Sequence, residues 1–377
     1  MDTVKILHCA DVHIGVADSS LGKLAAARRY ETLLTFEKII DAAKNNGVQI
    51  IAIAGDLFDS NHIDPSLTKP VFEKIASVPQ IKVIFAAGNH DPLDSDSPFI
   101  REPRPDNLFV FGTEDECITF DSLKLRVYGR SFGSVHMRGE THFSIIPPDD
   151  GYINLMVLHG DLRNDMNSDY NAVTPAFIKS CKMDYIALGH VHKRTEIGCC
   201  GSTYMAYCGC PEGQGFDELD EKGVYIGNIG KGICDLEFLP ISKRRHISEK
   251  IDITGLSETQ EISDKILSTL KEKYGEETVN NLYKIELIGK IAENAVISTE
   301  QLTSRLSEKL YYVKIKDKTE FDIDLKLLSL EKNLKGIFVK NMLRMLDDTE
   351  PQNRESIEYA LNLGLKAFNS EVPYDED

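Results

Sequence analysis

Positive charge is in short supply in this chain. Lysine and arginine number 43 against 60 aspartates and glutamates, a formal net charge of −17. That balance excludes a protein that coats nucleic acid with a basic surface alone. It leaves open an enzyme that grips phosphates through bound cations, because carboxylates gathered for cations are themselves negative. Long apolar runs are missing too. Ile50-Ile51-Ala52-Ile53-Ala54 is typical and far below a membrane span. The opening, Met1-Asp2-Thr3-Val4-Lys5-Ile6-Leu7-His8, has neither the basic nor the apolar region of a signal peptide. The expectation is a cytoplasmic protein without membrane association. Eight cysteines in 377 residues are too few for a disulfide scaffold, which points to reduced thiols. Internal repeats and low-complexity segments are absent.

What is present is the pattern of an α/β protein large enough for two or three compact units. Strands are expected over 5–9, 49–54, 82–86, 123–128, 153–158 and 185–188, alternating with helices over 23–44 and 66–76. In the first helix Leu33, Phe36, Ile39, Ile40 and Ala43 recur at helical spacing, and Asn45-Asn46-Gly47 stops it. Short strands and glycine-rich turns follow residue 195. Composition changes near Pro240, where Lys243-Arg244-Arg245-His246 forms a basic knot. The domains expected are 1–240, then a small α/β cap over 246–320, then a helical segment over 321–370. In that segment Leu327, Leu330, Leu334, Phe338, Met342 and Met345 form one amphipathic stripe. Pro351 separates it from a second helix carrying Ile357, Ala360, Leu361, Leu365 and Phe368, and an acidic tail occupies 371–377.

Five strands of the first domain are each followed at once by residues that bind metals. These are Asp11-Val12-His13, Gly55-Asp56-Leu57-Phe58-Asp59, Gly88-Asn89-His90-Asp91, His159-Gly160 and Gly189-His190-Val191-His192. Half of the chain's ten histidines fall in these turns. In an open α/β sheet, sites form beyond the carboxyl ends of the strands, so the turns can converge on one cleft. Carboxylate, amide oxygen and imidazole without cysteine suit manganese, iron or zinc better than calcium. These turns hold more candidate ligands than one ion needs, enough for two ions sharing a carboxylate, the usual clamp for phosphoester hydrolysis.

Asp-x-His, Gly-Asp-x-x-Asp, Gly-Asn-His-Asp and Gly-His-x-His in this order resemble the calcineurin-like metallophosphoesterase superfamily over residues 4–230. The narrower resemblance is to SbcD-type DNA repair exonucleases. It rests on Ile6 to Gly15, on Met183 to Lys193, and on Gly209-Cys210-Pro211-Glu212-Gly213 followed by Phe216-Asp217-Glu218 and Lys222-Gly223-Val224. The resemblance implies a sandwich of two mixed β-sheets flanked by helices, with a small α/β cap facing DNA and C-terminal helices that dock an SMC-like, SbcC-type ATPase. It implies two manganese ions, a homodimer, and exonuclease (3′–5′ on duplex ends) and endonuclease activity in double-strand-break repair. By the same resemblance Asp11, His13 and His192 bind one metal, Asn89, His159 and His190 the other, and Asp56 bridges them. A bridging hydroxide attacks the phosphate, and His90 binds no metal but assists the leaving oxygen. The chain departs from the family at Cys208-Gly209-Cys210-Pro211, where Pro-Gly-Ser-Pro is commoner.

Other readings stay open beside this one. The same fold serves non-DNA phosphoesters, and a DNA-end scaffold for an ATPase is a third possibility. Asp59 and Asp91 read as supports or caps rather than ligands. The spacing of Cys199, Cys200, Cys208 and Cys210 is not that of a standard zinc site. Lys243, Arg244 and Arg245 suit either a DNA backbone or a solvated junction. Arg101, Arg104, Arg126, Arg130 and Arg138 are candidates for a substrate path.

Overall fold

The computed structural model describes residues 2–16, 19–140, 143–148, 151–165, 167–219, 221–293, 295–350 and 353–368. The chain divides into two units between Arg245 and His246. Pro351 and the acidic end at 371–377 lie outside the described residues.

In chain order the first unit contains β1 (Thr3–Cys9), α1 (Ala25–Asn45), β2 (Ile50–Ile53), α2 (Pro65–Ala76), β3 (Lys82–Phe85), β4 (Leu108–Val110), β5 (Glu116–Phe120), β6 (Leu125–Gly129) and β7 (Ile153–His159). It continues with α3 (Pro175–Ser180), β8 (Tyr185–Gly189), β9 (Gly198–Cys200), β10 (Thr203–Tyr207), β11 (Gly223–Gly230) and β12 (Ile233–Pro240). One six-stranded sheet has the order β12-β11-β1-β2-β3-β4, the other β9-β10-β8-β7-β6-β5. Four neighbouring strands of each are parallel: β1 to β4 in the first, and β10, β8, β7 and β6 in the second. Antiparallel strands complete the edges. A small third sheet joins Met137–Glu140, Tyr170–Val173 and Asp161–Leu162.

Period-two alternation explains the layering, because successive side chains on a strand face opposite ways. Ile6, Ile50, Ala52 and Ile84 of the first sheet share a core with Leu125, Val127, Leu155, Val157 and Ala187 of the second. Leu7, Cys9, Ile51, Ile53, Val83 and Phe85 point the other way, onto Phe36, Ile40, Val71 and Ile75 of α1 and α2. On the far side of the second sheet, Met156, Leu158, Ile186 and Leu188 meet Phe177 and Ile178 of α3. Strands buried on both faces read as continuous apolar runs, and β2 and β8 do.

The sheets come very close at the carboxyl ends of their central strands. A Cβ placed on Gly189 lies 1.8 Å from the Ala54 carbonyl oxygen and 2.9 Å from the Ala10 Cβ. Backbone, not a flexible side chain, fills that space. Gly189→Ala is therefore expected to cost about 3 kcal/mol, the upper end for an overpacked interior. Urea unfolding measures it, and an unchanged midpoint would show that the sheet ends part easily.

The second unit holds three parallel strands, β13 (His246–Asp252), β14 (Leu282–Ile288) and β15 (Tyr312–Asp317), in that order. Its helices are α4 (Thr259–Tyr274), α5 (Thr299–Leu306), α6 (Leu334–Asp347) and α7 (Arg354–Ala367). Ile251 and Leu287 of the sheet share one core with Ile266, Leu302, Val339, Leu361 and Leu365. The apolar stripe beginning at Leu327 does not lie on one helix. A single turn, Leu325–Leu328, ends first, and the Asn333 side chain then accepts from the Gly336 N–H to start α6. Among the described residues no helix is long and apolar enough to cross a membrane.

Candidate metal centre

The close approach at Gly189 gathers the five turns. Asp11 and His13 follow β1, Asp56 follows β2, and Asn89 and His90 follow β3. From the second sheet, His159 ends β7, while His190 and His192 follow β8. The loops are stitched together by Asp11 N–H donating to the Gly55 carbonyl, His13 N–H to that of Asp56, and Gly160 N–H to that of Gly189. Among the described residues seven other than glycine have positive φ, and four of these are Asp11, His13, Asp56 and His190. Such backbone is costly and persists where surroundings over-determine it, as at a ligand clamp.

All seven expected ligands meet in one place. Asp11, His13 and His192 offer atoms within 4.8 Å of one another. Asn89 Oδ1 lies 2.9 Å from His159 Nε2 and 3.1 Å from His190 Nδ1. Asp56 Oδ2 is 3.3 Å from His159 Nε2 and 3.8 Å from His13 Nε2, so one oxygen faces both groups. Asp11, Asp56, His13 and His159 are essentially buried. His90, which is half-exposed, lies beside them. Its N–H donates to Asp56 Oδ1 (2.8 Å), and its Nδ1 lies 3.2 Å from the Asp59 carbonyl oxygen.

The tautomers follow from what each ring touches behind. His13 Nδ1 faces Asp59 Oδ1 (3.1 Å), His159 Nδ1 faces the Ala54 carbonyl (2.8 Å) and His192 Nδ1 faces Glu218 Oε1 (2.5 Å). Each acceptor fixes a proton on Nδ1 and turns the Nε2 lone pair inward. His13 Nε2 and His192 Nε2 then stand 3.1 Å apart. Two lone pairs aimed at one point repel unless a cation or proton sits between them. Buried carboxylates, an amide oxygen and such imidazoles fit divalent metal ions.

Electrostatics of the metal-free centre agree. Burial opposes a charge on His159, but Asp56 outweighs it and holds the imidazole up, at about 9. Burial and the His159 charge press His190 down, to about 4. Burial would raise Asp56, yet His159 and His13 keep its carboxyl well below the usual range. The His159 proton stabilises the metal-free fold fully below pH 6.5, and that contribution is lost as pH rises through 9. A cation bound through His159 would displace this proton. Manganese affinity is thus expected to climb by up to about tenfold per pH unit toward pH 9 and then flatten. Calorimetry in buffers of different ionisation enthalpy measures the proton released. Release of none at pH 7.5 would show that His159 carries no displaceable proton there.

The family model of the calcineurin-like phosphoesterases matches residues 4–194, the stretch that carries all seven of these residues. The chain belongs to that family. Among its curated relatives is an uncharacterized metallophosphoesterase, YhaO, of Bacillus subtilis, 27% identical over 62% of this chain and 59% of that protein. The DNA double-strand break repair protein Mre11 of Methanopyrus kandleri is 23% identical over 70% of this chain and 62% of that one. The Mre11 protein of Sulfurisphaera tokodaii is 22% identical over 94% of this chain and 92% of its own. The matches thus span about three fifths of the length of the first two relatives.

Several groups around the phosphoesterase centre act as supports, and of these only Asp91 is expected as one from the sequence. Asp91 accepts from the N–H groups of Asp56, Leu57, Phe58 and Gly88, so it holds the Asp56 loop against the Asn89 loop. Asn171, itself at positive φ, donates to the His159 carbonyl. Glu218 backs His192, and burial, which would raise its carboxyl, is overcome by that imidazole, leaving it near 2. The one trace of Glu218 in the sequence is its place in Phe216-Asp217-Glu218. His8 looks like a ligand by type but is a core residue between the Tyr185 hydroxyl and the Leu188 carbonyl, and burial drives it down to about 3.

The basic residues are more occupied than their sequence suggests. Lys243 and Arg244 both pair with buried Glu31, which also pairs with Arg28. Arg245 lies 3.7 Å from Glu221, Arg138 pairs with Asp169, and Arg126 stacks on Tyr152. The eight cysteines are free thiols.

Proposed function

We propose that the protein is a manganese-dependent DNA exonuclease and endonuclease of the SbcD type, acting on duplex ends in double-strand-break processing. The observation that carries this is the convergence of Asp11, His13, Asp56, Asn89, His159, His190 and His192 on one buried centre. The repair proteins among its relatives support DNA as the substrate. Asp11, His13 and His192 would hold one ion, Asn89, His159 and His190 the other, with Asp56 facing both. Two such ions supply Lewis-acid stabilisation of the phosphodiester and a nucleophile at neutral pH.

The protein's own groups do the rest. The Asp56 carboxylate and the Asp59 carbonyl hold the His90 loop and ring, leaving the His90 Nε2 side available to a substrate. A protonated His90 would donate from Nε2 to the departing oxygen.

A homodimer working with an SMC-like ATPase completes the reading. The apolar side chains of Leu327, Leu330 and Leu334, each about two-thirds exposed or more, support a docking face for that partner. Free thiols support a reducing, cytoplasmic setting.

The test is linear duplex DNA labelled at the 3′ end, incubated with the purified protein and manganese. Metal-dependent release of labelled nucleotides, abolished by EDTA, is the expected result. A second reading, a phosphoesterase with another substrate, is equally compatible with the Bacillus relative, which is named only as an uncharacterized metallophosphoesterase. Robust hydrolysis of a small phosphodiester with no DNA cleavage, with or without the ATPase, would select it.

A further inference from the structure

His192 is gripped from three directions by one stretch of chain, residues 210–222. Glu218 Oε1 accepts from its Nδ1. The Cys210 N–H and the Lys222 ammonium both donate to its carbonyl oxygen, each at 3.2 Å. Glu218 is fixed in turn: its other oxygen accepts from the Gln214 N–H (2.8 Å) and from the Cys210 thiol (3.4 Å). Cys210 and Lys222 are buried and the Glu218 side chain is nearly so.

The three Nε2 ligands are not backed alike. His159 leans on a neutral carbonyl, and His13 on Asp59, a carboxylate one-third exposed to water. His192 leans on a carboxylate 13% exposed that has two further donors of its own. A carboxylate behind an imidazole orients the ring and raises its basicity as a ligand, and a shielded, immobilised one does so most. The asymmetry falls on the half of the centre made by Asp11, His13 and His192.

We propose that Glu218 is the positioning residue that sets the metal affinity of that half of the centre, with Cys210 and Gln214 holding it in register. The inference rests on the two-metal reading above. Its specific content is that one of the two ions depends on Glu218 and the other does not. A serine at this position could donate to Glu218 as the Cys210 thiol does.

Calorimetric titration of the metal-free protein with manganese tests it, alongside electron paramagnetic resonance of the same samples. The wild type is expected to take up two equivalents. Glu218→Ala is expected to keep one at unchanged affinity and bind the other about 10–100-fold more weakly. At two equivalents of metal its spectrum shifts from a coupled pair toward isolated ions. Glu218→Gln keeps an acceptor oxygen without the charge and falls between, and Cys210→Ser stays close to wild type. Two equivalents at wild-type affinity in Glu218→Ala would overturn the proposal. So would an equal loss at both sites, in Glu218→Gln as well, with a lowered Tm of the metal-free protein, since that marks a merely structural role. Failure of the wild type itself to bind two equivalents would sink the two-metal reading, and the proposal with it, before any variant is compared.

Discussion

His90→Ala is expected to lower kcat by about 10²–10⁴-fold, the usual worth of a positioned proton donor. Metal binding and stability should be unchanged. The ring is half-exposed, and the loop beneath it is held by backbone: the His90 N–H on Asp56 and the Asp91 carboxylate on four N–H groups. Removing the imidazole leaves those bonds intact, so unfolding should shift by less than about 0.5 kcal/mol. Calorimetry with manganese and a kcat measurement on the labelled duplex separate the possibilities. His90 lies within ligand distance of His13 and Asp56, so loss of one metal equivalent in the variant would make it a ligand instead. Full activity in the variant would remove His90 from the chemistry.

Asp56→Asn is expected to be as damaging by a different route. One oxygen of Asp56 faces His159 and His13, and the other accepts from the His90 N–H. Asparagine keeps an acceptor for that N–H but loses the charge that balances two cations. Removing a buried electrostatic stabiliser costs about 10²–10³-fold in kcat. Weakened uptake of both ions adds to this at limiting manganese. In the metal-free protein the loss is visible without catalysis. Asp56 is the largest influence holding His159 up against burial. Without it the imidazole should titrate lower than in the wild type. Nuclear magnetic resonance of the histidine ring protons follows that titration, and an unmoved His159 would mean that Asp56 is not its counter-charge.

The candidate ligands are legible in the sequence because each ends a strand or follows one within a few residues. Strand ends in α/β sheets face one edge, so Asp11, Asp56, Asn89, His159 and His190 could be gathered into one centre without coordinates. Glu218, Asn171 and Cys210 were not legible as supports. They sit in turns distant in sequence, and their role is a hydrogen bond to a residue that only folding brings near. The basic knot shows the same limit. Lys243 and Arg244 look poised for phosphate, yet a buried glutamate more than 200 residues away engages both.

Local chemistry therefore determined the fold class, the strand and helix order and the metal-binding residue types. Periodicity and strand-end placement depend only on near neighbours along the chain. Tertiary structure decided the rest. It set which nitrogen of each histidine faces inward, which carboxylate stands behind it, and how closely the two sheets meet at Gly189. It also decided that the helices at 334–347 and 354–367 share a core with the strands of the second unit. Those outcomes depend on distances between segments far apart in the chain, and no local pattern encodes a distance.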